Sequence, residues 1–117
     1  MGDYKDLSIT VRITVVSDTS TEPHEGALGK GVVALLKGIQ ETGSLNRAAK
    51  SLGMAYSKAW RIVKETEAGF GFALIIRDGA RGSSLTKQGA ELISAYGQIL
   101  TEITDFANER LVTLLKS

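Results

Sequence analysis

Apolar and polar positions alternate strictly from Leu7 to Val15, in the run LSITVRITV. An alternation of period two in a β-branched run predicts a strand with one buried face. We therefore predict a strand over residues 6–16. The polar stretch from Ser17 to Gly26 holds the only proline of the sequence, and its composition predicts a loop.

Helical spacing begins after this loop. Apolar residues recur at steps of three and four, and they are Leu28, Val32, Leu35, Leu36 and Ile39. Gly43 follows as a C-terminal stop, so the pattern predicts a helix over residues 27–42. Ser44 is a typical N-cap for the helix after it.

Residues 44–67 have the pattern of two short helices joined by a tight turn. Apolar positions in the first are Leu45, Ala48, Ala49 and Leu52, and in the second Ala59, Ile62 and Val63. Gly53 lies between them, where a positive φ costs a glycine least. The two adjacent alanines let the helix axes approach closely at a steep angle, so the pattern predicts a helix-turn-helix.

The segment 72–85 has the pattern of a β-hairpin. Residues 72–77 (FALIIR) have strand character, residues 78–83 are rich in turn formers, and Ser84 and Leu85 begin a return strand. A hairpin directly after a helix-turn-helix is typical of a wing. The N-terminal strand would supply the third member that a marginal two-stranded sheet needs.

A single long helix is predicted over residues 86–116, with Thr86 as its N-cap. Thirty helical residues would measure about 45 Å, which exceeds what a small winged domain can cover. We therefore expect the helix to pack on a second copy of the chain. The alternative is that another domain, outside this sequence, covers the apolar stripe. The predicted dimerisation residues are Tyr96, Ile99, Leu100, Ile103, Phe106, Leu111 and Leu114.

The predicted fold class is therefore mainly α with a small β-sheet, as a winged helix-turn-helix in a single domain. The net charge is only +1, but the charge is unevenly distributed. Residues 44–87 carry eight Lys or Arg and three acids, a balance of +5. The remainder carries six and ten, a balance of −4. The helix-turn-helix and the hairpin thus hold the basic surface that phosphates require.

The outer face of the second short helix carries hydrogen-bond donors suited to a DNA groove. The first short helix and the hairpin tip add donors for the sugar-phosphate backbone. Tyr56 either contacts a phosphate or packs on the first helix, and the sequence leaves both open. The predicted DNA-binding residues are Ser44, Asn46, Arg47, Tyr56, Ser57, Lys58, Arg61, Lys64 and Arg81.

Two further side chains near this surface have structural interpretations. We predict that Trp60 is a packing anchor between the second short helix and the wing rather than a base-stacking residue. Arg77 precedes Asp78, and the two would form a surface ion pair of little energetic value.

The sequence lacks the residue combinations that a catalytic site or a metal site requires. The sequence has no cysteine, and its one histidine, His24, lies in a polar loop without a second ligand at metal spacing. Gly26–Gly31 lacks the spacing of a phosphate-binding loop. No long uncharged apolar segment is present, so we expect no membrane span. The absence of cysteine fits a cytoplasmic location, and no set of residues indicates a cofactor.

Several of these segments resemble ModE-type molybdate-responsive regulators, whose N-terminal DNA-binding domain has the winged helix-turn-helix of LysR-type regulators. The matching residues are 28–39 (LGKGVVALLKGI), 41–49 (ETGSLNRAA), 53–60 (GMAYSKAW) and 85–89 (LTKQG). The similarity runs from about residue 6 to the end of the sequence.

The resemblance implies a cytoplasmic regulator of transcription that binds a palindromic operator in double-stranded DNA as a homodimer. It also implies that Tyr56, Ser57, Lys58 and Arg61 lie on the recognition helix, and Arg81 in the wing. The family's molybdate site lies in a C-terminal domain, and this sequence ends at Ser117, so we expect no molybdate binding here. The alternative functions are a winged protein-interaction module and a ligand sensor, neither with specific DNA binding.

Overall fold

The computed structural model describes residues 4–18, 26–79 and 82–116. His24 and the predicted DNA-binding residue Arg81 lie outside these residues. Helix α1 spans Lys30–Thr42, α2 spans Leu45–Ser51, α3 spans Tyr56–Phe70 and α4 spans Lys87–Lys116. Strands β1 (Ile75–Arg77) and β2 (Ser83–Leu85) pair antiparallel, with Ile75 opposite Leu85. The predicted fold class, mainly helical with a small sheet and a long C-terminal helix, is confirmed.

Local capping explains where the helices begin and end. Gly43 ends α1 at φ 73°, and its N–H donates to the carbonyl of Ile39. The Ser44 hydroxyl accepts the N–H of Arg47 at the start of α2, as an N-cap does. Gly53, at φ 67°, lies in the turn to α3. Thr86 caps α4 by accepting the N–H of Gly89 at 3.0 Å.

One apolar core joins the four helices to the hairpin. Leu45, Ala48 and Ala49 of α2 are buried in it, whereas Leu52 lies beyond the end of α2 and is 45% exposed. Ile62 packs at the edge of the core. The buried core residues are Leu28, Val32, Val33, Leu35, Leu36, Ile39, Leu45, Ala48, Ala49, Ala59, Val63, Leu74, Ile75, Ile93 and Tyr96.

The prediction of a strand over residues 6–16 is wrong. Tyr4–Asp6 form a 3₁₀ turn, and the only sheet pairing within the described part of this segment is an isolated bridge from Val15 to Leu28. The segment packs along α4 instead. Asn108 accepts the N–H of Ile9 at 2.7 Å and donates to its carbonyl at 3.1 Å.

The alternation predicts burial correctly over residues 11–15 but not before them, since Leu7 and Ile9 are exposed. Val11, Ile13 and Val15 are half-buried, whereas the polar residues between them are exposed. The hydroxyl of Tyr96 donates to the carbonyl of Ile13 at 3.1 Å. A period of two shows which face is buried, but an α-helix can cover that face as well as a sheet can.

The two helices α1 and α2 meet at a glycine. A Cβ on Gly38 would lie 2.6 Å from the Cβ of Ala48, closer than two carbon atoms can approach without movement. This contact holds α2, and through it the turn to α3, against α1. Gly31, also on α1, has no atom within 4 Å of the position that its Cβ would take.

Replacing Gly38 with alanine should therefore destabilise the protein by about 1–3 kcal/mol, because the added methyl overpacks the contact between α1 and α2. Urea unfolding followed by circular dichroism measures this change. The matched control is Gly31→Ala, which we expect to leave stability unchanged or to raise it by up to about 1 kcal/mol through helix propensity. Equal effects of the two substitutions would contradict this account of the packing.

Candidate nucleic-acid interface

The outer face of α3 carries three exposed polar side chains, Ser57, Lys58 and Arg61. The opposite face of the same helix buries Ala59 and Val63 in the core. None of the three exposed side chains makes a hydrogen bond or an ion pair with the described residues. Their donors are therefore available to a ligand that covers this face.

A cleft of about 320 Å³ lies between the hairpin turn and the starts of α2 and α3. The start of α2, the start of α3 and the two ends of the hairpin turn form its walls. Its described lining residues are Ser44, Leu45, Asn46, Tyr56, Arg77, Gly79, Gly82 and Ser83. Asn46 lines this cleft and the neighbouring Arg47 is exposed, so the cleft joins predicted donors of α2 to Tyr56 at the start of α3.

Arg77 of β1 was not among the predicted site residues, and the structure places it in this cleft. Its guanidinium carbon lies 4.6 Å from the centre of the Trp60 ring and 5.9 Å from that of Tyr56. These are cation–π distances, so the two aromatic side chains hold the guanidinium over α3. Arg77 forms no ion pair with Asp78 among the described residues, which contradicts the predicted pair.

Trp60 has the predicted anchoring role. Its side chain is half-buried against the core and contacts Arg77 of the wing. Tyr56 is 38% exposed and lines the cleft, so its side chain lies at the surface and is not buried against α2. The sequence signal that could have identified Arg77 is a cation at the end of a strand that follows an aromatic-rich helix.

Lys64 contacts two other side chains of α3. Its ammonium group lies 3.2 Å from an oxygen of Glu67 and 4.5 Å from the centre of the Trp60 ring. Half of its side chain is still exposed, at 51%. Lys64, one of the predicted DNA-binding residues, therefore already has two interaction partners within α3.

Glu67 is a buried carboxylate that sequence reasoning missed. It is only 8% exposed, and its Oε2 accepts the N–H groups of Leu74 at 2.7 Å and Ile75 at 3.1 Å. Its Oε1 faces Lys64. One side chain of α3 thus binds the backbone at the start of β1 and fixes the hairpin to α3.

The second strand is fixed to the other side of the helix-turn-helix. The N–H of Ser83 donates to the carbonyl of Gly43 at 2.8 Å. A Cβ on Gly82, whose φ is 103°, would lie 2.2 Å from that same carbonyl oxygen. Glycine is therefore required at residue 82 by both conformation and space.

The predicted dimerisation residues divide into two groups. Ile99, Ile103, Phe106 and Leu114 are exposed along α4, with Phe106 at 65%. Tyr96 is only 5% exposed and bonds to its own chain, which removes it from the surface open to a second chain. Leu100 and Leu111 are half-buried.

The described residues contain no helix that is long and apolar enough to cross a membrane. They also contain no group of three or more histidine or acidic side chains that could hold a metal ion.

Comparisons with known proteins identify this arrangement. Residues 33–90 match the family described as "Bacterial regulatory helix-turn-helix protein, lysR family". The chain is 36% identical over 73 residues to Transcriptional regulator ModE of Yersinia pestis, covering 59% of the chain and 28% of that protein. It is 40% identical over 73 residues to HTH-type transcriptional regulator CrgA of Neisseria meningitidis, covering 62% of the chain and 24% of that protein.

Solved structures show the same fold. The CbnR_DBD–DNA complex superposes with a TM-score of 0.57 at 24% identity, covering 73% of this chain and 95% of that one. CbnR, a LysR family transcriptional regulator, superposes with a TM-score of 0.54 at 26% identity, covering 68% of this chain and 27% of that one. The chain spans about a quarter of the length of the curated relatives that it matches. Residues 33–90 therefore match the model of LysR-type bacterial regulatory helix-turn-helix proteins, and the chain has the fold of a solved LysR family regulator.

The carboxylate of Glu67 predicts a measurable effect on stability. Glu67→Ala leaves the buried N–H groups of Leu74 and Ile75 without their acceptor, which should cost about 1–3 kcal/mol. Urea unfolding measures the loss. The exposed Glu65 lies on the same helix, and Glu65→Ala should change stability by less than about 0.5 kcal/mol. A Glu67→Ala variant as stable as Glu65→Ala would show that the hairpin does not depend on this carboxylate.

Proposed function

We propose that this protein binds double-stranded DNA sequence-specifically and regulates transcription as a homodimer in the cytoplasm. The observation that carries the proposal is the exposed polar face of α3 beside the cleft with Arg77. In this proposal α3 enters the major groove, where Arg61 contacts a base edge and Lys58 a base edge or a phosphate. Ser57 adds a donor at the start of the same helix.

Contacts to the DNA backbone would come from both sides of the cleft. Asn46 on α2 and Tyr56 on α3 line the same cleft as Arg77, and the exposed Arg47 is proposed to add a further contact from α2. The two aromatic rings lie near the guanidinium carbon of Arg77, and its N–H groups, which lie in the plane of the guanidinium, are proposed to donate to a phosphate oxygen. Arg81 at the hairpin tip is proposed to contact the minor groove or a phosphate.

The dimer is proposed from α4. Exposed apolar side chains at residues 99, 103, 106 and 114 follow helical spacing, and an isolated stripe of this kind favours burial against an equivalent stripe. Such a dimer would present two recognition helices to a palindromic operator. The relative ModE supports a role in transcription, and the resemblance to ModE-type regulators is the only support for a link to molybdate.

DNA binding can be tested by its dependence on salt. We expect the logarithm of the affinity for a duplex, selected from a random pool, to fall with the logarithm of salt concentration at a slope steeper than about −4. Arg61→Ala should reduce discrimination between selected and scrambled duplexes by about 1–3 kcal/mol. Arg77→Ala should weaken both duplexes alike and lower the slope by about 1, because one phosphate contact is lost.

Fluorescence anisotropy over a range of salt concentrations measures all three quantities. Salt-independent or undetectable binding would exclude DNA binding and leave the protein-interaction module as the better explanation. Uniform weakening by Arg61→Ala would show that α3 does not contact the bases through this residue.

Dimerisation can be tested by placing a charge within the stripe. Ile103→Asp should raise the dimer dissociation constant by roughly 30-fold or more, because a buried unpaired carboxylate costs about 2 kcal/mol or more. Sedimentation equilibrium measures this constant. Thr101→Asp adds the same charge to an exposed position on the other side of α4 and should leave the constant within a factor of about three. A monomeric wild-type chain, or equal effects of the two substitutions, would refute the proposed interface.

A further inference from the structure

A second cavity lies between the N-terminal segment, α1 and α4, and the proposed DNA interface does not include it. Its volume is about 360 Å³, which falls within the range of small-molecule sites. The α1 residues that line it are separated by three, four and seven positions and so share one face of that helix. The described lining residues are Thr10, Val11, Arg12, Lys30, Val33, Ala34, Lys37, Tyr96 and Leu100.

The interior of this cavity is mainly apolar. Val33 and Tyr96 are buried, and Val11, Ala34 and Leu100 are half-buried. The hydroxyl hydrogen of Tyr96 is donated to the carbonyl of Ile13, so that hydroxyl does not offer a donor to a ligand. A molecule that filled the cavity would need an apolar body to match these walls.

Three cations line the opening. Arg12, Lys30 and Lys37 are exposed, and none forms an ion pair with a described residue. Among the described lining residues no carboxylate offsets them. Three like charges around one apolar cavity repel each other, and a negatively charged group at the opening would relieve that repulsion.

We propose that this cavity binds an amphipathic organic anion, with its apolar body between α1 and α4 and its carboxylate among Arg12, Lys30 and Lys37. Such a ligand would contact the N-terminal segment, α1 and α4 at once. It would therefore stabilise the packing of α4 on the rest of the domain, since a ligand that binds only the folded state raises its stability.

The probe for this proposal is 4-phenylbutyrate, titrated into the full chain by isothermal calorimetry. Its neutral amide and acetate serve as the two ligand controls, because each lacks one half of the proposed chemistry. We expect saturable one-to-one binding of 4-phenylbutyrate per chain. Both controls should bind at least about tenfold more weakly, the amide through loss of its charge and acetate through loss of its apolar body.

Two variants locate the site. Lys30→Ala combined with Lys37→Ala removes charge from the opening, and Ala34→Leu fills the cavity while keeping every charge. Each should weaken 4-phenylbutyrate binding at least about tenfold. The matched control combines Lys50→Ala and Lys87→Ala, two exposed lysines outside the cavity, and should bind as the wild type does.

Absence of saturable binding at millimolar 4-phenylbutyrate, or equal binding of the amide, would overturn the proposal. Full binding by the Lys30 and Lys37 double variant would also overturn it. DNA affinity measured on the same variants reports on the proposed function separately, since these lysines lie outside the α3 surface.

Discussion

The carboxylate of Glu67 is the interaction that holds the hairpin beside α3, and the geometry of the proposed DNA-binding surface depends on it. A hairpin of two three-residue strands is too small to hold its own position. Glu67 accepts two backbone N–H groups at the start of β1 and thereby joins the hairpin to α3. Because the acceptor is buried and charged, these bonds are stronger than bonds between neutral groups.

The aromatic contacts extend this link to the surface. Lys64 lies between Glu67 and the ring of Trp60, and Arg77 lies over the same ring. Successive contacts therefore join α3 to the hairpin, from the buried carboxylate of Glu67 through Lys64 and Trp60 to the exposed guanidinium of Arg77. With Ser83 bonded to Gly43 on the other side, the hairpin is fixed to both ends of the helix-turn-helix.

Periodicity and capping predicted the helices because both are local properties, but α1 begins at Lys30 rather than residue 27, and α3 ends at Phe70 rather than residue 67. The apolar steps of α1 and the N-caps at Ser44 and Thr86 agree with the structure. The N-terminal segment could not be predicted in the same way. Its alternation predicted a buried face but not the element that covers it. The segment lies along α4, where Asn108 bonds to the backbone of Ile9. A contact between residues so far apart in sequence leaves no local pattern.

In the candidate site too, features that depend on local spacing could be predicted, whereas long-range contacts could not. Exposure of Ser57, Lys58 and Arg61 follows from the helical spacing of Ala59 and Val63, so sequence alone places them on the surface. Arg77 and Glu67 act across the gap between a helix and a strand, which sequence spacing does not reveal. Tyr96 matches the apolar spacing of α4 and was predicted as a dimer contact. Its hydroxyl instead donates to the carbonyl of Ile13, and its side chain is buried in the core.

The hairpin and α3 behave as one unit because Glu67 joins them, and native-state hydrogen exchange tests this coupling most directly. The amides of Leu74 and Ile75 should exchange only through global unfolding, with the same free energy of opening as the most protected amides of α3. Exchange of these two amides through a separate, lower-energy opening, while α3 stays protected, would show that the hairpin moves independently and contradict the account.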